Sequence, residues 1–264
     1  MIEGKEDYGT KKIKKVVDVG FIPGIYNYCD RWCEKCEQQL RCMSFVMGKK
    51  IEEKGGFNFE REGHREDESI WARLKEVFES TYEVLHELAE ERGLNVEDIY
   101  ASENIDREFW GEDYEGTPRE QVYQKLESSD LLRICSIYEY WADKCLEQLY
   151  EIINDKEKNE LLEEALEVVG WYPDLIQAKI RRALYGYHYH TANKSKTTED
   201  YNGSAKVALI GVERSIENWK IIQPLCPAYQ KEISHLLVVL EQLRSDADEY
   251  FPKARTFVRP GFDN

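Results

Sequence analysis

The sequence has no run of about 18 consecutive apolar residues, so no segment reads as a membrane-spanning helix. The first fifteen residues, MIEGKEDYGTKKIKK, hold no apolar stretch of the kind a secretory signal needs, so no such signal is expected. Positive charge is scarce: 36 Lys and Arg stand against 52 Asp and Glu, a formal charge of −16. That balance argues against a nucleic-acid partner, because phosphate binding needs Lys and Arg to displace counterions. It argues equally against anionic membrane surfaces. Period-two alternation is missing too, and the only strand-like stretch is Val16–Ile22. There is no internal repeat, low-complexity tract, P-loop, dinucleotide fingerprint or Ser/His/Asp arrangement. What remains is 264 residues, 42% hydrophobic, enough for one large domain or two small ones with a real core. A cytoplasmic protein is the expectation.

The charge is unevenly spread. Residues 1–50 hold ten Lys and Arg against seven Asp and Glu, a net of +3, and four of the seven cysteines. The remainder carries −19. This composition boundary predicts a small N-terminal module (1–50), a charged linker with a Gly55-Gly56 pair (51–67) and an acidic body (68–264).

The body reads as helices, predicting an all-α bundle of five or six. Trp71, Leu74, Phe78, Leu85 and Leu88 form a first stripe, stopped by Gly93. Residues 94–126 are less regular. A second helix is expected from Ser129 or Asp130 to about Ile153, with Leu131, Ile134, Cys135, Tyr138, Trp141, Cys145, Leu149 and Ile152 inward. A third runs from about Glu157 to Val169. Pro173 then breaks the pattern and starts a fourth, where Ile176, Ile180, Ala183 and Tyr187 align. After a polar loop, a fifth opens at Gly203 with Ala205, Ala208, Leu209, Val212, Ile216 and Trp219 as its stripe. Ser204, Ala208, Gly211 and Ser215 line one side, where a neighbouring helix can come close. The last follows Pro227 and ends near Tyr250.

The sharpest signal is CDRWCEKCEQQLRC, which places Cys29, Cys33, Cys36 and Cys42 at C-x3-C-x2-C-x5-C spacing. Four thiols this close in a reducing compartment point to a metal rather than to disulfides. Thiolates are soft ligands, and four of them close a tetrahedral ion site or a cluster. Metal binding also organises a segment with little core of its own. Arg31, Lys35 and Arg41 offer charge to balance the thiolates, and Tyr28 and Trp32 are candidates to shield the site. Structural zinc usually takes two cysteine pairs separated by a dozen or more residues, and no such gap exists here. Compact gaps suit an iron–sulfur cubane, in which each thiolate binds a different iron. A four-iron four-sulfur (4Fe-4S) cluster is therefore the favoured cofactor and zinc the alternative.

Cys33, Cys36 and Cys42, as C-x2-C-x5-C, resemble the end of the cluster loop of endonuclease III-type DNA glycosylases, which implies the same cluster type. The first gap is three residues here and six there, and no helix-hairpin-helix accompanies it, so the glycosylase activity is not carried over. C-x3-C-x2-C also looks like the radical SAM motif. Cys42 would then fill the iron where SAM must bind, and the chain that follows does not alternate strand and helix. YNYCDRWCEKC, GSAKVAL and FVRPGFD together resemble a family of bacterial helical proteins without an assigned function. Two roles follow for such a chain: electron transfer or redox sensing, or a zinc-stapled scaffold for a protein partner.

The histidines offer a third role, a bundle enzyme of oxidoreductase or ribonuclease type. Glu83/His86 and Glu232/His235 are Glu-x-x-His pairs, as in di-iron bundles. By helical-wheel arithmetic, however, Glu83 falls opposite its apolar stripe, and His86 and His235 lie about 100° and 150° from theirs. Solvated helix faces explain them. His188 and His190 could share a metal if that segment were extended. Arg182 and His188 form an Arg-x5-His spacing similar to that of HEPN-type ribonucleases, although Ala183 stands where a polar residue usually follows. Cys135, Cys145 and Cys226 read as small buried hydrophobes.

Overall fold

The computed structural model describes residues 20–53, 118–153, 159–193 and 200–263, with scattered positions between 75 and 90. The described residues form α-helices and short 3-10 turns, with no strand among them. The chain divides into two compact units: Met1–Tyr26 with Arg31–Glu112, and Asn27–Asp30 with Asp113–Asn264. The predicted helix through Trp71–Leu88 is helical at its described positions 75, 79, 81–84, 86 and 87, while its stripe residues Trp71, Leu74, Phe78, Leu85 and Leu88, and most of Val16–Ile22, lie outside the described residues.

In the first unit, helix α1 spans Met43–Glu53. It therefore runs on through Gly48 and residues 51–53, where the sequence suggested a linker. Val46 and Ile51 on α1 are buried with Val84, and Phe21 and Met47 pack against them. This small apolar cluster holds the helix in place of the missing periodicity.

The second unit holds α2 (Pro118–Glu127), α3 (Asp130–Ile153), α4 (Glu160–Asn193), α5 (Tyr201–Leu225) and α6 (Gln230–Tyr250). Helices α3 to α6 each pack on the next, α6 closes back onto α3, and α2 leans on α4. That ring is a four-helix bundle with one added helix. The α3–α6 stripes enclose a core centred on Tyr138, Tyr172, Trp219 and Phe251. Inside it the Trp219 indole N–H donates to Tyr138 Oη at 3.3 Å, which satisfies both buried polar atoms.

Two expectations are corrected here, and the less regular stretch 94–126 ends in a helix: Pro118 opens α2, where its fixed φ and missing N–H suit the first helical turn. Pro173 does not divide α4. The helix runs unbroken through it because Leu166, Val169, Tyr172, Ile176, Ile180 and Leu184 form one buried stripe. Each such side chain contributes about 1.5–3 kcal/mol, together outweighing the ~3 kcal/mol cost of an interior proline. Trp141 is 48% exposed, and Ala142 takes the core position one residue on. The α3 contacts follow Tyr138, Ala142, Cys145 and Leu149, a track about 100° from Trp141.

The predicted α5 stripe is buried throughout, and so are Ser204, Ala208, Gly211 and Ser215. The α4–α5 interface is the most extensive in the bundle. A Cβ on Gly211 would lie 2.8 Å from Tyr172 Cδ1, so only glycine lets that ring in. After α6 the chain folds back over α5, where Lys206 Nζ donates to the Phe257 carbonyl and pairs with Asp263 at 2.8 Å.

Candidate metal-binding segment and its anchor

The cysteine segment is built from tight turns. Gly24 adopts φ +69°, 3-10 turns follow at Ile25–Asn27, Cys33–Lys35 and Gln39–Arg41, and Arg31 stands at φ +57°. A left-handed arginine costs of order 1–3 kcal/mol, so surrounding contacts must hold it. The Cys33 amide donates to the Arg31 carbonyl at 2.9 Å immediately after this bend.

Cys33 and Cys36 flank one 3-10 turn, closed by the Cys36 amide donating to the Cys33 carbonyl at 3.2 Å. The Gln38 amide then donates to Cys36 Sγ at 3.4 Å. A backbone N–H aimed at sulfur stabilises the thiolate over the thiol. The Gln39 side-chain amide also donates to the Cys33 carbonyl, bracing the turn. Lys35 Nζ lies 4.0 Å from the centre of the Trp32 ring, and Trp32 is buried. Cys42 ends the last 3-10 turn in extended backbone, and its carbonyl accepts from the Val46 amide as α1 begins. All four motif cysteines are partly exposed, and none of the seven cysteines is in a disulfide. Among the described residues, no group of three or more His, Cys, Asp or Glu side chains is arranged to hold a metal ion.

Cys29 belongs to the four-residue piece, Asn27–Asp30, that folds with the second unit. Lys179 Nζ on α4 donates to the Asn27 carbonyl at 2.9 Å, and Arg182 Nη1 to Asn27 Oδ1 at 3.1 Å. Arg182 also pairs with Asp200, whose carboxylate accepts from Tyr28 Oη. Burial, then the Asp200 bond, raises the Tyr28 phenol to about 12. The Tyr28 ring lies over Gly203 and 5.0 Å from Phe257. On the far side of Cys29, Trp171 Nε1 donates to the Asp30 carbonyl at 2.9 Å. Asp30 Oδ2 accepts from Tyr172 Oη at 3.0 Å and Arg214 Nη1 at 2.8 Å. Arg214 also bonds Tyr172 Oη. Desolvation is the main reason the Tyr172 phenol rises to about 12, so it stays a donor. Both flanks of Cys29 are therefore tied to α4 and α5.

The histidine expectations fare differently. Helix α4 continues to Asn193, so His188 and His190 sit on a helix, about 200° apart around it, instead of in an extended segment. Two rings so placed do not chelate one ion. His188 Nε2 is 3.1 Å from Tyr250 Oη, and burial, then the Lys125 charge, lowers its pKa. His190 packs near Tyr201. Arg182 is committed to Asn27 and Asp200. His235 is exposed at the edge of Trp141, as its wheel position implies. Cys135 and Cys145 are buried, and burial lifts their thiols to about 12 and about 11, which keeps them protonated and unreactive.

Sequence reading missed Lys179, Arg182, Asp200, Tyr172 and Arg214 as partners of residues 27–30. No local pattern marks them, because the bonds to Asn27, Tyr28 and Asp30 span 141 to 184 residues. No described helix is long and apolar enough to cross a membrane. Comparison of the chain with family models, curated proteins and solved structures returns no match.

Proposed function

We propose that Cys29, Cys33, Cys36 and Cys42 bind a metal centre, a four-iron four-sulfur cluster, and that the protein serves electron transfer or redox sensing in the cytoplasm. The observation that carries this reading is the Cys33–Cys36 turn, in which a backbone N–H already points at Cys36 Sγ. Second-sphere donors of this kind orient a sulfur ligand and tune its basicity before metal arrives. A bound cluster would supply one-electron chemistry, while the chain's own part is to hold thiolates and limit solvent, with Trp32 buried nearby in sequence. The Tyr28 ring is committed to packing over Gly203 and beside Phe257, so the shielding role assigned to it passes to Trp32.

Structural zinc is the second reading, favoured by the same C-x2-C turn, since that spacing is also a zinc-ligand spacing. Anaerobic purification separates the two. Brown protein with acid-labile sulfide supports the cluster. Colourless protein with about one zinc per chain supports the scaffold reading. Protein holding neither metal after reconstitution with each overturns the site. Cys33→Ala should lower metal content in either case, and full retention would remove Cys33 from the ligand set.

A further inference from the structure

We infer that the outer face of α3 and α6 is a self-association surface, on which a second copy of this chain packs through Tyr140 and Trp141. The face belongs wholly to the second unit and is independent of the metal-binding reading.

An amphipathic helix turns polar residues outward, and here α3 and α6 depart from that pattern. On α3, Ile137, Tyr140 and Trp141 are 38%, 57% and 48% exposed. Their i, i+3, i+4 spacing puts them together on one helix face. On α6, Val238 is 67% exposed, one turn beyond the exposed His235. The two groups are continuous. The Tyr140 and Trp141 rings meet edge-on with centroids 5.3 Å apart, and Trp141 meets the His235 ring at 6.1 Å. A single exposed apolar side chain is ordinary, but a contiguous patch with two large aromatics is not. These side chains leave roughly 400 Å² of apolar surface open, about the size of the largest such patch on a whole monomer.

Charge identifies the occupant. The chain carries −16, so two copies repel wherever their acidic surfaces meet. At physiological salt only charges within about 8 Å of a contact act strongly across it. Around this patch they cancel. Arg133 pairs with Asp130 at 2.8 Å and Lys144 with Glu147 at 2.8 Å, both within α3. On α6 the neighbours of His235 are Lys231 and Glu232, one of each sign. Glu139 and Asp143 lie on the opposite flank of α3, where Gln177 of α4 binds Glu139. Two acidic copies can therefore meet on this face without repulsion, whereas a basic partner would be drawn to the acidic remainder of the surface. Two-fold pairing sets the patch against itself, so each aromatic counts twice. Tyr and Trp are also the side chains that most often dominate an interface. Two such patches with their rims bring the contact to about 1,000 Å², the lower end of specific interfaces, which fits a reversible dimer with a Kd of about 10–100 μM.

Sedimentation velocity of the full-length, reduced protein, from about 5 to 200 μM, tests this. Wild type should pass from monomer to dimer across that range. Trp141→Ser should raise Kd about 10-fold or more. Val238→Glu, at a side chain with little role in the core, should abolish the dimer by setting like charges against each other. Leu161→Ser removes a similarly exposed apolar side chain from α4 and should leave Kd unchanged. Raising salt from about 0.05 to 0.5 M should tighten the dimer, because it screens the repulsion between two acidic copies while the apolar contact persists. Wild type that stays monomeric at the highest concentration overturns the proposal and leaves this face to a different protein. A dimer unchanged by both Trp141→Ser and Val238→Glu forms elsewhere on the chain and overturns it as well. So does a dimer that salt dissociates, or one weakened equally by Leu161→Ser. If Trp141→Ser does not fold by circular dichroism, Val238→Glu decides.

Discussion

Gly203→Ala and Gly170→Ala are the same chemical change in neighbouring helices of the bundle, and the structure predicts opposite outcomes. At Gly203 a new Cβ would lie 2.5 Å from Tyr28 Cδ1 and 2.7 Å from Phe257 Cε1. Ordinary carbon contacts need about 3.5–4.0 Å, so both rings must retreat by about 1 Å. Overpacking of this kind costs about 1–3 kcal/mol. Retreat of Tyr28 also weakens its bond to Asp200, a loss of about 1 kcal/mol. Alanine returns up to about 1 kcal/mol of helix propensity, less here because Gly203 is in the first turn of α5. The net is a destabilisation of about 1–3 kcal/mol, or about 2–12 °C in Tm. At Gly170, inside α4, the new Cβ meets Tyr150 Oη at 3.6 Å and Leu146 Cδ1 at 3.9 Å, both ordinary contacts. Only the propensity gain remains, about 0.5–1 kcal/mol of stabilisation. Thermal and urea unfolding followed by far-ultraviolet circular dichroism measure both. A Gly203→Ala protein as stable as wild type, or a Gly170→Ala protein less stable than wild type, would refute the close-approach argument.

Tyr138→Phe should cost about 1–2 kcal/mol in urea denaturation, since it leaves the buried Trp219 N–H without its acceptor; an unchanged midpoint would show that this bond contributes nothing. Asp263 is held well below the ordinary carboxylate range, first by its bonds to Arg259 and then by Lys206. A depressed folded pKa adds stability above the unfolded value near 3.9 and loses it as pH falls toward the folded one. Wild type should therefore exceed Asp263→Asn in Tm at neutral pH, with the gap shrinking steadily below about pH 4. A pH-independent gap would sink that assignment.

Helices α3, α5 and α6 were legible because each writes its buried face at 3.6-residue spacing within its own sequence, as Ile233, Leu236, Leu240, Leu243 and Ala247 do on α6. The small stripe on α5 was legible too, though its occupants were not: Tyr172 comes from α4 and Tyr28 from 175 residues away in the numbering. Pro173 misled because local propensity was weighed without the core that outbids it. Trp141 misled because a large aromatic was assumed to be inward, whereas the α3 packing track passes through Ala142. The cysteine motif was visible as spacing alone. The anchor beside it was invisible, since Asp30 and Asn27 resemble any polar loop residues until their helical partners are in place.

Composition and periodicity were enough to establish that the described chain is helical, acidic and lacking a membrane-spanning helix, because these properties depend on residues within a turn or two of one another. Tertiary structure alone decided which residues hold Asn27–Asp30, which glycines admit a ring, and that His188 and His190 face different sides of α4. Those outcomes depend on which surfaces meet across the bundle, and the free energy of burying them acts between residues that no local window contains.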